Sequence, residues 1–241
     1  MTQYSHSRVD TFVKCPKKFE YKYVKGIEVE QFPDEDSPLL LGSCMDTGLE
    51  HGFQAAYDKY VEAFPSHTQK REWELLKLQY WIERLGPHFK DGQFQIELKN
   101  DWFIGYADWF KDGHLVDFKY GNPKTAEKYR ESAQLHLYYN IMTQMGYDVK
   151  DLTYVVIPKT GIREKKTECP MTFRNRLMET LESMEPILVQ VEYDEKKLIQ
   201  FGKHIDDITM ANVHNEFPAK PSGLCPYCEY RTICPDAKLD R

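Results

Sequence analysis

Gly105-Tyr-Ala-Asp108-Trp-Phe-Lys-Asp112-Gly113-His-Leu-Val-Asp117-Phe-Lys119 reads as two strands joined by a tight turn. Asp-Gly favours the two-residue type I′ turn of β-hairpins, because both residues must adopt positive φ. That loop sets a register in which Lys111 opposes His114, Phe110 opposes Leu115 and Trp109 opposes Val116. One step further, Asp108 opposes Asp117. Opposed residues of antiparallel strands share a face, and Lys119, two residues on, shares it as well. The hairpin therefore gathers two carboxylates and an ammonium. Like charges placed opposite each other destabilise a sheet, and a divalent cation between them removes that repulsion. The plainer alternative is two solvated strand aspartates with Lys119 as a surface ion-pair partner.

At 241 residues the chain is long enough for one large core, or one core with an appendage. Thirty-two Lys and Arg against 38 Asp and Glu give a net charge of −6. That balance excludes a uniformly basic, passive nucleic-acid binder but not an acidic metal site with local basic patches. No apolar run is long enough for a membrane span, and Met-Thr-Gln-Tyr-Ser-His at the N-terminus lacks the apolar core of a signal peptide. These features lead to the expectation of a cytoplasmic protein without membrane partners, in which clustered cysteines suggest metal.

Along the chain, Ser5 or Ser7 caps a first helix, and Pro16 opens a second. Between Arg8 and Lys25 six basic residues stand against two acids. Lys14, Lys17 and Lys18 among them are candidate phosphate contacts or simply a solvated helix face. A long helix is expected over Leu39–Phe64, with Gly52 within its stripe. Ser66–Gln69 reads as a capping box, opening a helix that Gly86-Pro87 ends. Gln93–Lys99 alternates as a strand, with Glu97 facing solvent. Thr125–Met145 reads as one helix with Ala133, Leu137, Ile141 and Met145 inward. Leu152–Pro158 has the apolar density of a buried strand. The following segment carries Arg163 and Lys165, a second possible basic patch. Thr172–Glu185 reads as helical, and Asp194 caps a last long helix.

The order Gly105-x-x-Asp108, Asp117-x-Lys119, Gln134-x-x-x-Tyr138 resembles the PD-(D/E)xK nuclease superfamily, and most closely its RecB-like branch. That branch includes the AddB nuclease domain and CRISPR-associated RecB-like exonucleases. Cys15-Pro-Lys-Lys-Phe is similar to the opening of that branch. The resemblance implies that Asp108 and Asp117 hold Mg²⁺ or Mn²⁺, with the Phe118 carbonyl joining them. It implies that Lys119 orients water and stabilises charge on the phosphate, and that Gln134 and Tyr138 position substrate. Where relatives carry Gly-x-x-x-His, this chain has Gly42-Ser-Cys-Met-Asp46. Asp46 is thus either a third ligand for a hard cation or an ordinary polar helix residue. Cys225-x2-Cys228-x5-Cys234, taken with Cys15, resembles the four-cysteine set that holds a 4Fe–4S cluster in that branch. Four thiolates also suit zinc, and spacing alone does not separate the two.

The expectation is a single α/β domain over 1–241: a restriction-endonuclease-like core with a mixed central sheet flanked by helices. Residues 1–25 and 215–241 together would form the cysteine region. The implied activity is metal-dependent hydrolysis of DNA at ends or in single strands, as an exonuclease, with recombination or repair partners unspecified. Two alternatives stand beside it: a non-catalytic DNA-end-binding module, and a site-specific endonuclease.

Overall fold

The computed structural model describes residues 3–30 and 33–237. The outermost residues of the two expected cysteine-region segments, 1–2 and 238–241, lie outside them. The described residues form eight α-helices and a five-stranded sheet. The chain divides into two compact units, one of residues 1–31, 98–105 and 194–241, the other of 32–97 and 106–193.

The sheet contains β1 (Gln93–Lys99), β2 (Ile104–Lys111), β3 (His114–Gly121), β4 (Asp151–Pro158) and β5 (Ile187–Val191), side by side in that order. β2 and β3 are antiparallel in the expected register, with Trp109 opposite Val116 and Lys111 opposite His114. Asp112 and Gly113 have φ of 52° and 93°, as a type I′ turn requires. β3 and β4 run parallel, placing Asp117 beside Tyr154, and β4 and β5 are antiparallel. This is the mixed α/β sheet expected of a restriction-endonuclease-like core.

In the larger unit the helices are α3 (Pro38–His51), α4 (Phe53–Ala63), α5 (Gln69–Phe89), α6 (Gln134–Gln144) and α7 (Pro170–Glu182). One sheet face presents Trp109, Val116, Phe118, Val155 and Ile157 to a core built from Leu41 and Met45 of α3, Leu78 and Trp81 of α5, and Leu177 of α7. Both faces are covered, which accounts for the continuous apolar run in β4. α3 and α5 approach closely at Gly48, where a Cβ would lie 2.1 Å from Ile82 Cδ1. The other face carries Asp117 and Tyr154. There α6 packs on β3 and β4, and the Leu135 amide donates to the Tyr154 hydroxyl at 3.4 Å.

The smaller unit contains α1 (His6–Lys14), α2 (Pro16–Phe19), a π-helical turn at Glu20–Val24 and α8 (Glu195–His214). Ser5 caps α1 by accepting from the Arg8 amide, and Asp194 caps α8 by accepting from the Lys196 amide. Its interior is aromatic: Phe19 meets Phe12 and Phe217, Tyr21 meets Tyr230, and Phe103 meets Phe201.

Several expected elements differ. The single helix over Leu39–Phe64 is two helices, α3 and α4, separated by Gly52 at φ 88°, ψ 168°. That conformation belongs essentially to glycine, so the backbone turns where the apolar spacing continues. Thr68, not Ser66, caps α5, accepting from the Arg71 amide, and α5 continues through Pro87 to Phe89. The helix expected over Thr125–Met145 is a 3₁₀ segment (Pro123–Glu131) followed by α6. Pro123 opens the 3₁₀ segment just after Asn122, whose side chain accepts from the Lys124 amide and competes with a regular helix start. Met145, expected inside, is 46% exposed, because α6 has ended one residue earlier.

Candidate active site

Two strands and two helices of the larger unit supply the site. Asp117 sits in the middle of β3 and is completely buried. Its carboxylate is ion-paired with the Lys119 ammonium from the same strand and face. Beyond that pair, neither Asp117 oxygen has a hydrogen-bonding partner among the described residues. Asp108, the residue before Trp109 on β2, accepts from the Phe118 amide at 2.9 Å. The Lys119 ammonium also donates to Gln134 Oε1 at 3.2 Å, and Gln134 Nε2 donates to the Tyr138 hydroxyl at 3.1 Å. A continuous polar chain thus runs from Asp117 through Lys119 and Gln134 to Tyr138. One α6 turn separates the last two residues, so both point at the same strand. The Tyr154 ring lies 5.8 Å from the Lys119 ammonium and supports its position.

Burial raises the Asp117 carboxyl above its ordinary range, and Lys119 pulls it back only in part. Burial also raises Asp108 well above the ordinary carboxylate range, reinforced by the charges of Asp117 and Asp46. Asp46, on α3, is pushed up to about 6 by burial and by the Asp117 charge, while Lys119 and Lys59 oppose the rise. Burial alone would lower the Lys119 ammonium, but Asp117 and Asp108 outweigh it and hold it raised. Burial followed by the Asp117 charge raises the Tyr138 hydroxyl, so it remains a neutral donor. The structure therefore brings Asp46, Asp108, Asp117, Lys119, Gln134 and Tyr138 into one electrostatic neighbourhood.

Among the described residues, no three His, Cys, Asp or Glu side chains are already closed around one point that a metal ion could occupy. The donor set nevertheless suits a hard divalent cation. It is all oxygen, it carries mutually repelling carboxylates, and Asp117 has two buried oxygens lacking further partners.

Two residues of this neighbourhood carry no family motif. Tyr154 is identifiable only once β4 is paired with β3, because its strand position was visible but its register was not. Lys59 donates to Thr47 at 2.9 Å and tempers Asp46 from α4. Its placement depends on the chain turning at Gly52, which helical periodicity does not reveal.

The cysteines lie in the smaller unit. Cys15, Cys225, Cys228 and Cys234 all line one small cavity, together with Tyr21 and Tyr230. Cys44 is buried in the core of the larger unit and Cys169 is exposed, so neither belongs to that group. The lysines expected near phosphate have internal partners: Lys14 with Asp10, Lys17 with Glu20 and Lys18 with Glu229. Arg163 and Lys165 follow β4 in the larger unit, and Arg163 lines a separate cavity.

Residues 3–235 match the family model of the PD-(D/E)XK nuclease superfamily, and the chain belongs to that superfamily. The match takes in residues of both compact units. No curated protein matches the chain. The solved structure of SSO0001 is similar at 13% identity, covering 97% of this chain and 85% of its own, with a TM-score of 0.43. A phage-related exonuclease from Haemophilus somnus 129PT is similar at 11% identity, covering 86% of this chain and 92% of its own, with a TM-score of 0.35. Likeness at these scores does not bear on activity.

Proposed function

We propose that this chain is a single-domain, Mg²⁺- or Mn²⁺-dependent deoxyribonuclease that hydrolyses phosphodiester bonds at DNA ends or in single strands. One observation carries the reading: Asp117, Lys119, Gln134 and Tyr138 form a connected polar chain on one sheet face, with Asp117 close enough to raise both the Asp108 and the Asp46 carboxyls, and Asp46 close enough to raise Asp108. Asp108, Asp117 and Asp46 would hold the cation, with the Phe118 carbonyl beside them. A divalent cation bound there supplies a Lewis acid for the scissile phosphate and lowers the pKa of a bound water.

The remaining work falls to the protein's own groups. The Lys119 ammonium is fully charged, so it offsets negative charge growing on the phosphate and orients the attacking water. Gln134 fixes that ammonium through its carbonyl oxygen and directs its amide toward Tyr138. Tyr138 would present its neutral hydroxyl to a strand phosphate. The preference for ends rests on the likeness of Gln134-x-x-x-Tyr138 and the cysteine set to the RecB-like branch.

A 4Fe–4S cluster in the smaller unit is part of the same reading, with zinc as the other possible occupant. Its support is the convergence of Cys15, Cys225, Cys228 and Cys234 on one cavity. A cytoplasmic setting would keep these thiols reduced. The cluster would be structural, since phosphodiester hydrolysis needs no redox step.

The test is digestion of end-labelled single- and double-stranded DNA with Mg²⁺ or Mn²⁺, beside a covalently closed circle. Release of short products from ends, with the circle intact, supports an exonuclease. Cutting of the circle makes it an endonuclease. Binding without cleavage under either metal makes it an end-binding module.

A further inference from the structure

A second cavity, of about 520 Å³, lies in the larger unit, where α5 meets the chain leaving β4. None of Asp46, Asp108 or Asp117 lines it. Its volume lies in the range of small-ligand sites. Four cations line it: Lys70, Lys77, Lys159 and Arg163. Two have carboxylate partners within hydrogen-bonding distance, Lys70 with Asp36 at 2.9 Å and Lys77 with Glu74 at 2.6 Å. The other two do not. Lys159 donates to the Asp36 backbone carbonyl at 3.1 Å, and its nearest carboxylate oxygen, on Glu74, is 3.9 Å away. Among the described residues the Arg163 guanidinium has no hydrogen bond or ion pair.

Glu74 supplies the complementary feature. It is only 4% exposed, and its Oε2 has no hydrogen-bond partner among the described residues. A buried acceptor in that state destabilises the protein unless a donor reaches it. Trp73 also lines the cavity, held by its indole N–H to Glu164 at 3.2 Å and packed edge-on against Phe173.

We propose that this cavity binds a nucleotide carrying a terminal phosphate monoester, a deepening that rests on the nuclease reading above. The monoester is a dianion and matches the two cations lacking close carboxylates, Lys159 and Arg163. A sugar hydroxyl or base amino group supplies the donor that Glu74 lacks. Trp73 offers an aromatic surface to a base. Burial depresses the Lys159 ammonium, and a bound anion would restore it. The nucleotide comes either from the end of a DNA strand or as a released mononucleotide.

The test is binding in EDTA, where hydrolysis is switched off, so its result stands apart from whether the protein cleaves DNA. Fluorescein-labelled single-stranded oligonucleotides bearing a phosphate or a hydroxyl at the unlabelled end are titrated with protein, for 5′ and 3′ ends separately. The phosphorylated strand at one end is expected to bind about tenfold tighter than its hydroxyl counterpart. Arg163→Ala, on an exposed loop and safe for folding, and Lys159→Gln are each expected to abolish that difference. Asp117→Asn should keep it. Displacement by free dAMP would identify the released product as an occupant. Retention of the strand against dAMP would assign the pocket to strand ends. Equal binding of phosphate and hydroxyl ends by the unaltered protein, or an unchanged preference in both variants, overturns the proposal.

Discussion

Replacing Asp46 with Asn should make the metal-free protein more stable. The Asp46 carboxyl is raised from 3.8 to about 6 by burial and by the Asp117 charge. In the unfolded chain it ionises near its ordinary value, so between pH 4 and pH 6 the unfolded state loses its proton first. Stability that is fully present below pH 4 is therefore lost as pH rises through 6, and the loss is complete above that. At about 1.4 kcal/mol per pH unit the displacement corresponds to roughly 3 kcal/mol. Asn is itself a polar group placed in the same surroundings, so about half of this should be recovered. For a chain of this size that is a rise in Tm of roughly 3–6 °C at pH 8 in EDTA. The assay is thermal unfolding of both proteins in EDTA from pH 4 to pH 8, repeated with 10 mM Mg²⁺. The variant should show a flatter pH profile, and Mg²⁺ should stabilise it less than it stabilises the unaltered protein. Equal Tm values at pH 8, with parallel pH profiles, would refute the reasoning and return Asp46 to an ordinary polar residue of α3.

Lys119→Ala should remove DNA cleavage while retaining Mg²⁺ binding by calorimetry. It should also lower metal-free stability by about 3 kcal/mol in urea unfolding, because Asp117 loses the partner of a buried pair. Asp117→Asn should abolish cleavage with secondary structure unchanged by circular dichroism; turnover by this variant would sink the site. Gly52→Ala should destabilise by about 1–3 kcal/mol, since φ 88°, ψ 168° strains any side chain. Protein purified without oxygen should be brown and carry about four irons per chain, and Cys228→Ser should be colourless with a lower Tm.

The hairpin was legible because its turn is written in two residues. Asp112-Gly113 can fix a register without knowledge of anything distant, and Asp117 and Lys119 follow from that register. Gln134 and Tyr138 were legible as a motif, and one helical turn explains why they meet Lys119. The break at Gly52 was hidden because the apolar spacing continues across it, as a pattern of side chains does not record backbone φ. The 3₁₀ segment was hidden for a related reason: of its nine residues only Ala126 is buried, too little to show a period. The cavity of Lys70, Glu74, Lys77 and Lys159 was beyond sequence reading. Its members come from α5 and the end of β4, and only the three-dimensional packing unites them.

The two-residue loop between β2 and β3 also governs the order in which this protein assembles. A hairpin so closed forms in about 1–10 μs, whereas β3 and β4 pair only after the chain from 122 to 150 has looped back. That returning segment contains α6, the helix that covers Asp117 and brings Gln134 to Lys119. The charged groups thus come together early, while still wet, and lose their water late, when α6 docks. Docking is then the step that pays the dehydration of the two hairpin carboxylates, Asp108 and Asp117. A divalent cation in the refolding buffer should accelerate that late phase and leave hairpin closure unchanged.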